Sequence, residues 1–290
     1  MNWRTVIIST QSKLDYKMGY MIVRGKETHR ILIDEIAILL LENPMVSLTG
    51  CLVAALIEKK VRVIFCDSKR NPTAEVTPHH GSHDSTAKIR TQAAWAGEMK
   101  SLIWSEIVRD KIRKQALLLK ELEKELESDL LLNYSRQIEP PDLTNREGRA
   151  AKVYFNALFG SDFTRGADNS INAALNYGYS LILSAINREI SNNGYLTQLG
   201  LFHDNMFNPY NLGCDLMEPF RILVDRKVRN EMPFEFGKDE KHEMWRILED
   251  TVIIGQCHQS VLNAIGIYVH SIFKAINNAD PSEIRFYEIQ

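Results

Sequence analysis

The chain divides at the stretch PTAEVTPHHGSH, residues 72–83. Two prolines, a glycine and several polar residues close together are typical of a boundary between domains. Short β-branched runs precede this stretch, and helical periodicity follows it for the rest of the chain. It therefore predicts a β-rich N-terminal domain and a helical C-terminal domain.

The residues before this boundary predict a compact sheet with one helix. Four short segments rich in β-branched residues predict strands. These strand segments are 4–8, 20–23, 30–33 and 61–66. A continuous apolar run covers 36–41. Between Ser47 and Lys59, a capping serine and one apolar face predict a short helix.

The residues beyond the boundary follow the periodicity of helices. Apolar residues from Ile89 to Ile107 recur every three or four positions on one helical face, and strong helix formers continue from Lys111 to Leu132. Further helices are predicted at 145–158, 170–192, 209–229, 241–254 and 260–277. The predicted fold class is α+β, with a small N-terminal β-rich domain containing one helix (1–78), a linker (79–88) and a larger all-α C-terminal domain (89–290).

The composition is that of an ordinary globular protein. Of 290 residues, 44% are hydrophobic and 25% charged, with a net charge of −2. Any DNA contact would therefore require cations concentrated on one surface. No apolar run of about 18 residues and no secretory leader are present, which predicts a cytoplasmic protein without a membrane span. Four cysteines without short pair spacing predict reduced, mostly buried thiols.

The first segment that could carry chemistry is TNREG, residues 144–148. Thr144 and Glu147 match a capping box, in which each side chain binds a backbone N–H of the other, so a purely structural role for Glu147 is one interpretation. Gly148 favours a functional role, because glycine is costly inside a helix and lets another backbone or a phosphate come close.

The second segment is GLFHDN, residues 200–205. A lone histidine among apolar residues, such as His203, is more often a hydrogen-bonded core residue than a functional one. The histidines of the boundary stretch, His79, His80 and His83, are a weaker metal candidate, because a polar linker explains them more simply.

The third segment is DLMEPFR, residues 215–221. Asp215 and Glu218 share one helical face, where like charges repel unless a cation lies between them. Arg221 is placed to pair with Glu218, so a structural ion-pair ladder is an alternative to a functional role. Pro219 predicts a kink or the first turn of a helix.

The candidate residues of the three segments form a ligand set for a divalent metal. Glu147, His203, Asp215 and Glu218 supply carboxylates and one imidazole, which suit Mg²⁺ or Mn²⁺ at a phosphodiester. Such an ion polarises the phosphate and lowers the pKa of an attacking hydroxyl. Spacing alone does not establish that the four side chains meet.

At these segments the sequence resembles the CRISPR-associated endonuclease and integrase family that acquires new spacers (Cas-one), in its type II branch. The resemblance covers nearly the whole chain and rests on motifs in both domains. These motifs are WRTV (3–6), SKL (12–14), VIFCD (63–67), KRNP (69–72), NREG (145–148), YFN (154–156), LNYGY (175–179) and DLMEPFR (215–221).

The resemblance implies an enzyme with named site residues. It assigns catalysis and the metal, Mg²⁺ or Mn²⁺, to Glu147, His203 and Glu218, and it makes Asp215 a further acidic position that binds the metal directly or supports it. The implied enzyme is a metal-dependent DNA endonuclease and integrase. It inserts short foreign DNA fragments into a CRISPR array, by attack of a 3′-hydroxyl on the repeat phosphodiester.

The resemblance also implies partners. The β-rich domain would form a homodimer, and a Cas-two dimer would join two such dimers into a heterohexamer on double-stranded DNA. Type II systems would add the effector nuclease and, in some cases, a ring-forming accessory protein. Arg146 and Arg221 are the candidate phosphate contacts. Two rivals stay open: a metal-dependent nuclease of branched DNA, and a non-catalytic DNA-binding scaffold in which Glu147 only caps a helix.

Overall fold

The structure, a computed structural model, describes residues 4–68, 70–76 and 83–289. It divides into two compact units, Met1–Gly81 and Ser82–Gln290. The N-terminal unit is β-rich and the C-terminal unit is mainly helical, which confirms the predicted α+β class. The first helix of the second unit begins at Ser85, so the end of the predicted linker 79–88 is helical. His79 and His80 lie outside the described residues.

The N-terminal unit contains two four-stranded sheets in its described part. The strands are β1 Arg4–Ile8, β2 Lys13–Lys17, β3 Tyr20–Arg24, β4 Thr28–Leu32, β5 Ile36–Leu41, β6 Ser47–Leu48, β7 Arg62–Cys66 and β8 Pro72–Val76. One sheet has the order β1-β5-β7-β8, with β1, β5 and β7 parallel and β8 antiparallel to β7. The other has the order β4-β3-β2-β6, antiparallel except for the β2–β6 pair.

The continuous apolar run of the first domain is an interior strand. All six residues of β5 are buried, because a strand with parallel neighbours on both edges and covered faces has no solvated side. The helix α1, Gly50–Glu58, packs Leu52 and Leu56 into the core. Its cap is Thr49, whose side chain accepts a hydrogen bond from the Leu52 N–H. The prediction of Ser47 as the cap was wrong, because Ser47 pairs in β6.

The C-terminal unit is built around one long helix. Its helices are α2 Ser85–Ala93, α3 Gly97–Glu121, α4 Glu125–Arg136, α5 Arg146–Phe159, α6 Ser170–Asn192, α7 Asn211–Met217, α8 Arg221–Glu231, α9 Lys238–Trp245 and α10 Val261–Asn278. The helix α3 packs against α4, α5, α7, α8 and α10. Side chains on α3 therefore reach several other helices of the unit. None of the described helices is long and apolar enough to cross a membrane.

Two predicted helical stretches are interrupted. The stretch through Ile89 and Ile107 breaks between α2 and α3, and Gln92 in the last turn of α2 binds the carbonyls of Leu196 and Leu199. The stretch from Lys111 to Leu132 breaks between α3 and α4, where Glu123 has a positive φ of 59°. Both breaks follow from local geometry and tertiary contacts that helical periodicity does not record.

A β-hairpin replaces the end of the predicted helix 241–254. The helix α9 ends at Trp245, and the strands β9, Thr251–Ile254, and β10, Cys257–Ser260, pair antiparallel. Residues 255 and 256 both have positive φ and form the two-residue turn typical of hairpins. The β-branched segment before this turn is better suited to a strand than to a helix. The C-terminal unit is thus not purely helical.

The four cysteines are free thiols, as predicted. Cys66 is buried, whereas Cys51 and Cys257 are exposed, so the expectation of mostly buried thiols was wrong.

Candidate active site

The helix that carries Glu147 begins with two side-chain caps. Asn145 accepts a hydrogen bond from the Gly148 N–H at 3.1 Å. The carboxylate of Asp142 accepts from the N–H groups of Arg146 and Glu147, at 2.8 and 2.9 Å. These three contacts satisfy the first free donors of α5. The side chain of Glu147 is therefore not required for capping.

The capping-box interpretation of Glu147 was accordingly wrong. The capping residue is Asn145, in the left-handed region with φ of 51°, and not Thr144. Gly148 is explained by the same cap, since a Cβ there would lie 2.6 Å from Asn145 Oδ1. In the NREG motif, Asn145 caps the helix and Gly148 leaves room for the Asn145 side chain. The Glu147 side chain is therefore free to face the interior of the unit.

We predict that Asn145→Ala lowers the free energy of unfolding by about 1 kcal/mol, the usual value of a helix cap. Thr144→Ala should change it by less than about 0.5 kcal/mol, because Thr144 is exposed and does not cap the helix. Denaturant unfolding of the two variants measures the difference. Equal losses would restore Thr144 as the cap.

The predicted helix 209–229 is interrupted at the third segment. The helix α7 ends at Met217, a 3-10 turn covers Glu218–Phe220, and α8 begins at Arg221. Pro219 lies at the start of this turn, where its missing N–H costs least. Its carbonyl accepts a hydrogen bond from the Tyr287 hydroxyl at 2.7 Å. The turn fixes the backbone that presents Glu218.

Glu147 and Glu218 converge on the ammonium group of Lys111. The Lys111 Nζ lies 2.6 Å from Glu147 Oε1 and 2.5 Å from Glu218 Oε2. The three residues come from three elements, namely α5, the 3-10 turn and α3. Glu218 is 4% exposed, so its charge is almost fully removed from water. The resemblance grouped the two glutamates as ligands of one ion, and it did not include the lysine that both of them contact.

The pKa values of these groups reflect mutual neutralisation. Burial alone would lower the pKa of Lys111, but the charges of Glu218 and Glu147 outweigh it and raise that pKa. Burial alone would raise the pKa of Glu218, but Arg221 and Lys111 lower it to about 2. The lysine and Glu218 are therefore charged at neutral pH.

Arg221 is the second cation beside Glu218. Its Nε donates to Glu218 Oε1 at 2.8 Å, and its guanidinium lies 4.5 Å from the centre of the Tyr179 ring. The predicted pairing of Arg221 with Glu218 is confirmed. The pairing does not extend to Asp215, which lies beside His203 instead. Arg146, the other candidate phosphate contact, lies 5.5 Å from the ring of Tyr134.

Asp215 organises the loop that carries His203. Its buried carboxylate accepts from the N–H groups of Leu201, Phe202 and His203, at 2.6, 3.1 and 3.1 Å. It also lies 2.6 Å from His203 Nδ1. Gly200 is required here, since a Cβ would lie 2.8 Å from Asp215 Oδ2. With four contacts on two oxygens, Asp215 orients the histidine.

The imidazole of His203 is oriented from two sides. Its hydrogen bond to Asp215 raises its pKa, with smaller contributions from the charges of Glu218 and Glu147, while burial lowers it. Trp104 of α3 stacks on Phe202 at 4.7 Å and meets the His203 ring edge-on at 5.8 Å. Because Nδ1 is taken by the carboxylate, Nε2 is the nitrogen left for a ligand.

A second buried carboxylate links the helices behind the glutamates. Asp225 of α8 accepts from the hydroxyl of Tyr154 at 3.0 Å and from that of Tyr179. Burial raises the pKa of Asp225 to about 6, against the lowering effects of Tyr179, Tyr154, Arg221 and Lys111. The cluster joins α5 and α6 to α8, and Tyr179 also contacts Arg221.

This cluster predicts a pH dependence of stability. The pKa of Asp225 is higher in the folded state than its ordinary value of 3.8, so the folded state holds the proton more tightly. Its contribution is complete below the unfolded pKa and is lost as the pH rises through about 6. Between about pH 4.5 and 7.5 this loss should amount to about 2 kcal/mol.

Asp225→Asn should remove that loss, since the amide keeps contacts to both tyrosines without a charge. Denaturant unfolding at the two pH values measures the difference between the variant and the parent chain. An unchanged pH dependence would mean that Asp225 does not titrate in this range.

The residues predicted for a metal are thus assembled in two groups. Glu147 and Glu218 meet at Lys111, and His203 meets Asp215. Within the described residues, no three His, Cys, Asp or Glu side chains are clustered closely enough to hold a metal ion as they stand. The ammonium of Lys111 takes the position between the two glutamates where a cation is needed. The donor types nevertheless fit a hard divalent ion: two carboxylates and an imidazole with one nitrogen available.

Sequence reasoning missed Lys111, Trp104 and the tyrosines of the Asp225 cluster. A signal for Lys111 was present, because it continues the four-residue spacing of the buried Ile103 and Ile107 on α3. A charged residue in a core stripe requires a partner. Tyr154 and Tyr179 lie in the YFN and LNYGY motifs, but their pattern is also that of ordinary core residues and does not indicate a carboxylate partner.

The sequence is similar to known proteins over most of its length. The sequence model of the family described as "CRISPR associated protein Cas1" matches residues 5–232. A relative from Neisseria meningitidis serogroup C (strain 8013), "CRISPR-associated endonuclease Cas1", is 31% identical over 295 residues, covering 100% of this chain and 97% of the relative.

Two solved structures share the fold. A casposase bound to integration product has a TM-score of 0.77 at 16% identity, covering 97% of this chain and 92% of the casposase chain. A chain of a partial Cas6-RT-Cas1–Cas2 complex has a TM-score of 0.68 at 15% identity, with 99% of both chains covered. At these identities the likeness concerns the fold alone.

Proposed function

This chain belongs to the Cas1 family of CRISPR-associated proteins, and from that premise we propose that it is a divalent-metal-dependent DNA endonuclease and integrase. The proposed reaction inserts short DNA fragments, or spacers, into a CRISPR array. One observation carries the proposal: Glu147 and Glu218 reach one cation within 2.6 Å from separate elements. Such convergence of buried negative charge is costly unless a positive group is bound there.

The proposed metal ligands are Glu147, Glu218 and the Nε2 atom of His203, with Mg²⁺ or Mn²⁺ as the ion. When bound, the ion supplies positive charge that polarises a phosphate and lowers the pKa of a hydroxyl. The four contacts of Asp215 support an orienting role for it rather than direct ligation. A carboxylate that fixes a ligating histidine is a common arrangement around metals.

In the proposed transesterification, the 3′-oxygen of the fragment forms a bond to the phosphorus of a repeat phosphodiester. The bond between that phosphorus and the 3′-oxygen of the neighbouring nucleotide breaks. The attacking hydroxyl gives up a proton, and the departing oxygen takes one. Arg221 contacts Glu218 and the Tyr179 ring, and it is the first proposed phosphate contact. Arg146, at the start of α5 beside Glu147, is the second proposed phosphate contact.

The proposed partners follow from the family and its structural neighbours. The partial complex that shares the fold contains Cas2, and we propose a Cas2 dimer as the partner that joins two Cas1 homodimers into a heterohexamer. Homodimer formation is assigned to the β-rich domain. Double-stranded DNA is the proposed substrate, as spacer fragment and as repeat. The type II effector nuclease and a ring-forming accessory protein are further proposed partners.

The test is an integration assay with a labelled fragment and a plasmid that carries the repeat array, with Cas2 present. The expected product is label joined covalently to the plasmid, in Mn²⁺ or Mg²⁺ but not in EDTA. A fragment that ends in a 3′-deoxynucleotide is the matched control and should give no joined product.

The same assay separates the rival functions. Cleavage of branched DNA without joined product would support a nuclease that uses water as its nucleophile. Retention of DNA without any divalent-dependent strand chemistry would support a non-catalytic scaffold. Either result would contradict the proposed integrase.

A further inference from the structure

Lys111 contacts both proposed metal-binding glutamates, yet the proposed function gives it no role. Its side chain is 10% exposed and reaches α5 and the 3-10 turn from the centre of α3. A lysine placed only for packing would not need to meet two carboxylates from different elements. Its position therefore concerns the charge of the site.

The charges around Glu218 already balance without a metal. Glu147 and Glu218 contribute two negative charges, and Lys111 and Arg221 contribute two positive ones. Addition of a divalent ion would leave an excess of positive charge in a buried region, where charges are poorly screened. One of the two resident cations must then move away from the carboxylates.

The two cations differ in how firmly they are held. Arg221 is fixed by its bond to Glu218 and by the ring of Tyr179. Lys111 ends in a compact ammonium on a flexible stem, and this ammonium contacts the two glutamates themselves. A metal ion that took both carboxylates would remove those contacts. Lys111 is therefore the cation that leaves.

We propose that Lys111 is a positioning residue that holds Glu147 and Glu218 together in the metal-free protein and is displaced when a divalent ion binds. This inference rests on the proposed metal site. Metal binding is then an exchange of one cation for another. The lysine preserves the arrangement of the carboxylates before the ion arrives and weakens the affinity for the ion.

A neighbouring lysine provides a matched control. Lys114 lies one turn further along α3, is 3% exposed and pairs with Asp110. It also lies 3.7 Å from the centre of the Tyr287 ring. Lys114→Met therefore removes an equally buried ammonium from the same helix, but the carboxylate left behind is not a proposed metal ligand.

The experiment is a Mn²⁺ titration of the full chain, in which the midpoint temperature of thermal unfolding is measured at each Mn²⁺ concentration. Lys111→Met and Lys114→Met should both lower this midpoint without metal, because each removes a buried ammonium that neutralises carboxylates of the unit. Lys111→Met should reach half of the Mn²⁺-induced stabilisation at about tenfold lower Mn²⁺ than the parent chain, since a competing charge is gone. Lys114→Met should require the same Mn²⁺ concentration as the parent chain.

The outcomes separate this inference from the proposed function. Suppose that Mn²⁺ stabilises the parent chain but not Glu147→Gln, and that Lys111→Met needs as much Mn²⁺ as the parent chain or more for half of the stabilisation. The inference about Lys111 then fails and the proposed metal site stands. If the parent chain shows no Mn²⁺ response, both fail. If Lys111→Met does not fold without metal, refolding in Mn²⁺ should recover it, and failure to recover would overturn the inference.

A second measurement uses the parent chain alone. Acylation of lysines by an amine-reactive reagent, read by mass spectrometry, should label Lys111 several-fold faster in Mn²⁺ than in EDTA. Lys114 should stay protected in both. Equal labelling of Lys111 in the two buffers would mean that the ammonium is not displaced.

Discussion

Glu147→Gln is expected to reduce fragment integration at least about a hundredfold, the scale of losing one group that stabilises charge in a transition state. The amide has nearly the same shape but no negative charge to hold a cation. The fold should persist, because Glu147 is partly exposed and Lys111 keeps its contact with Glu218. Integration rates with Mn²⁺, measured at equal protein and DNA concentrations, give the ratio.

Glu218→Gln is expected to lose integration to a similar extent and also to lose stability. Lys111 and Arg221 both pair with Glu218, so this change leaves two cations with a single nearby carboxylate. Glu231→Gln is the matched control, because Glu231 lies on α8, is exposed and pairs with Lys227. The control should integrate at the rate of the parent chain. For the first prediction, a Glu147→Gln chain that integrates at the rate of the parent chain would contradict a role of Glu147 in the proposed site.

Asp215→Asn is expected to destabilise the protein by about 3 kcal/mol, because a buried hydrogen-bond acceptor becomes partly a donor. Asp215 Oδ2 accepts from Leu201 and Phe202, and Oδ1 accepts from His203. Whichever way the amide turns, its NH₂ group faces backbone N–H groups. The loop should then release His203, and integration should fall by about tenfold or more.

Asp204→Asn is the control for this prediction. Asp204 is exposed and follows His203 in the same loop, so its replacement removes an acidic charge without touching the buried contacts. Denaturant unfolding and the integration assay should both give values near those of the parent chain. A stable Asp215→Asn chain with normal integration would contradict the orienting role of Asp215.

The fold was largely predictable where the apolar pattern of a segment was regular or continuous. Helix α6 has the bounds 170–192 that its apolar periodicity predicted, and the run at 36–41 is a buried strand. Periodicity failed where chain breaks depend on distant contacts. Gln92 binds carbonyls more than 100 positions away, and no local pattern records such a bond.

The sequence named the residues of the proposed site but not the contacts that surround them. The resemblance named Glu147, His203 and Glu218, and the structure places the two glutamates together. The roles of the surrounding side chains needed coordinates. Thr144 matched the pattern of a cap, but Asp142 and Asn145 accept the hydrogen bonds of the free N–H groups instead.

Asp215 and Glu218 illustrate the limit of reasoning from spacing. Two carboxylates three residues apart were expected to share one helical face, but α7 ends between them in a 3-10 turn. Asp215 consequently binds the His203 loop, and Glu218 binds Lys111 and Arg221. The proline in the segment signalled this change of direction without specifying it.

The central claim is that Glu147, His203 and Glu218 hold a single divalent ion. Anomalous scattering at the manganese absorption edge, from crystals of this protein grown with Mn²⁺, tests it most directly. The claim predicts one strong peak within coordination distance of both carboxylates and of His203 Nε2, with the ammonium of Lys111 moved away. A peak elsewhere, or none while Lys111 still bridges the two glutamates, would contradict it.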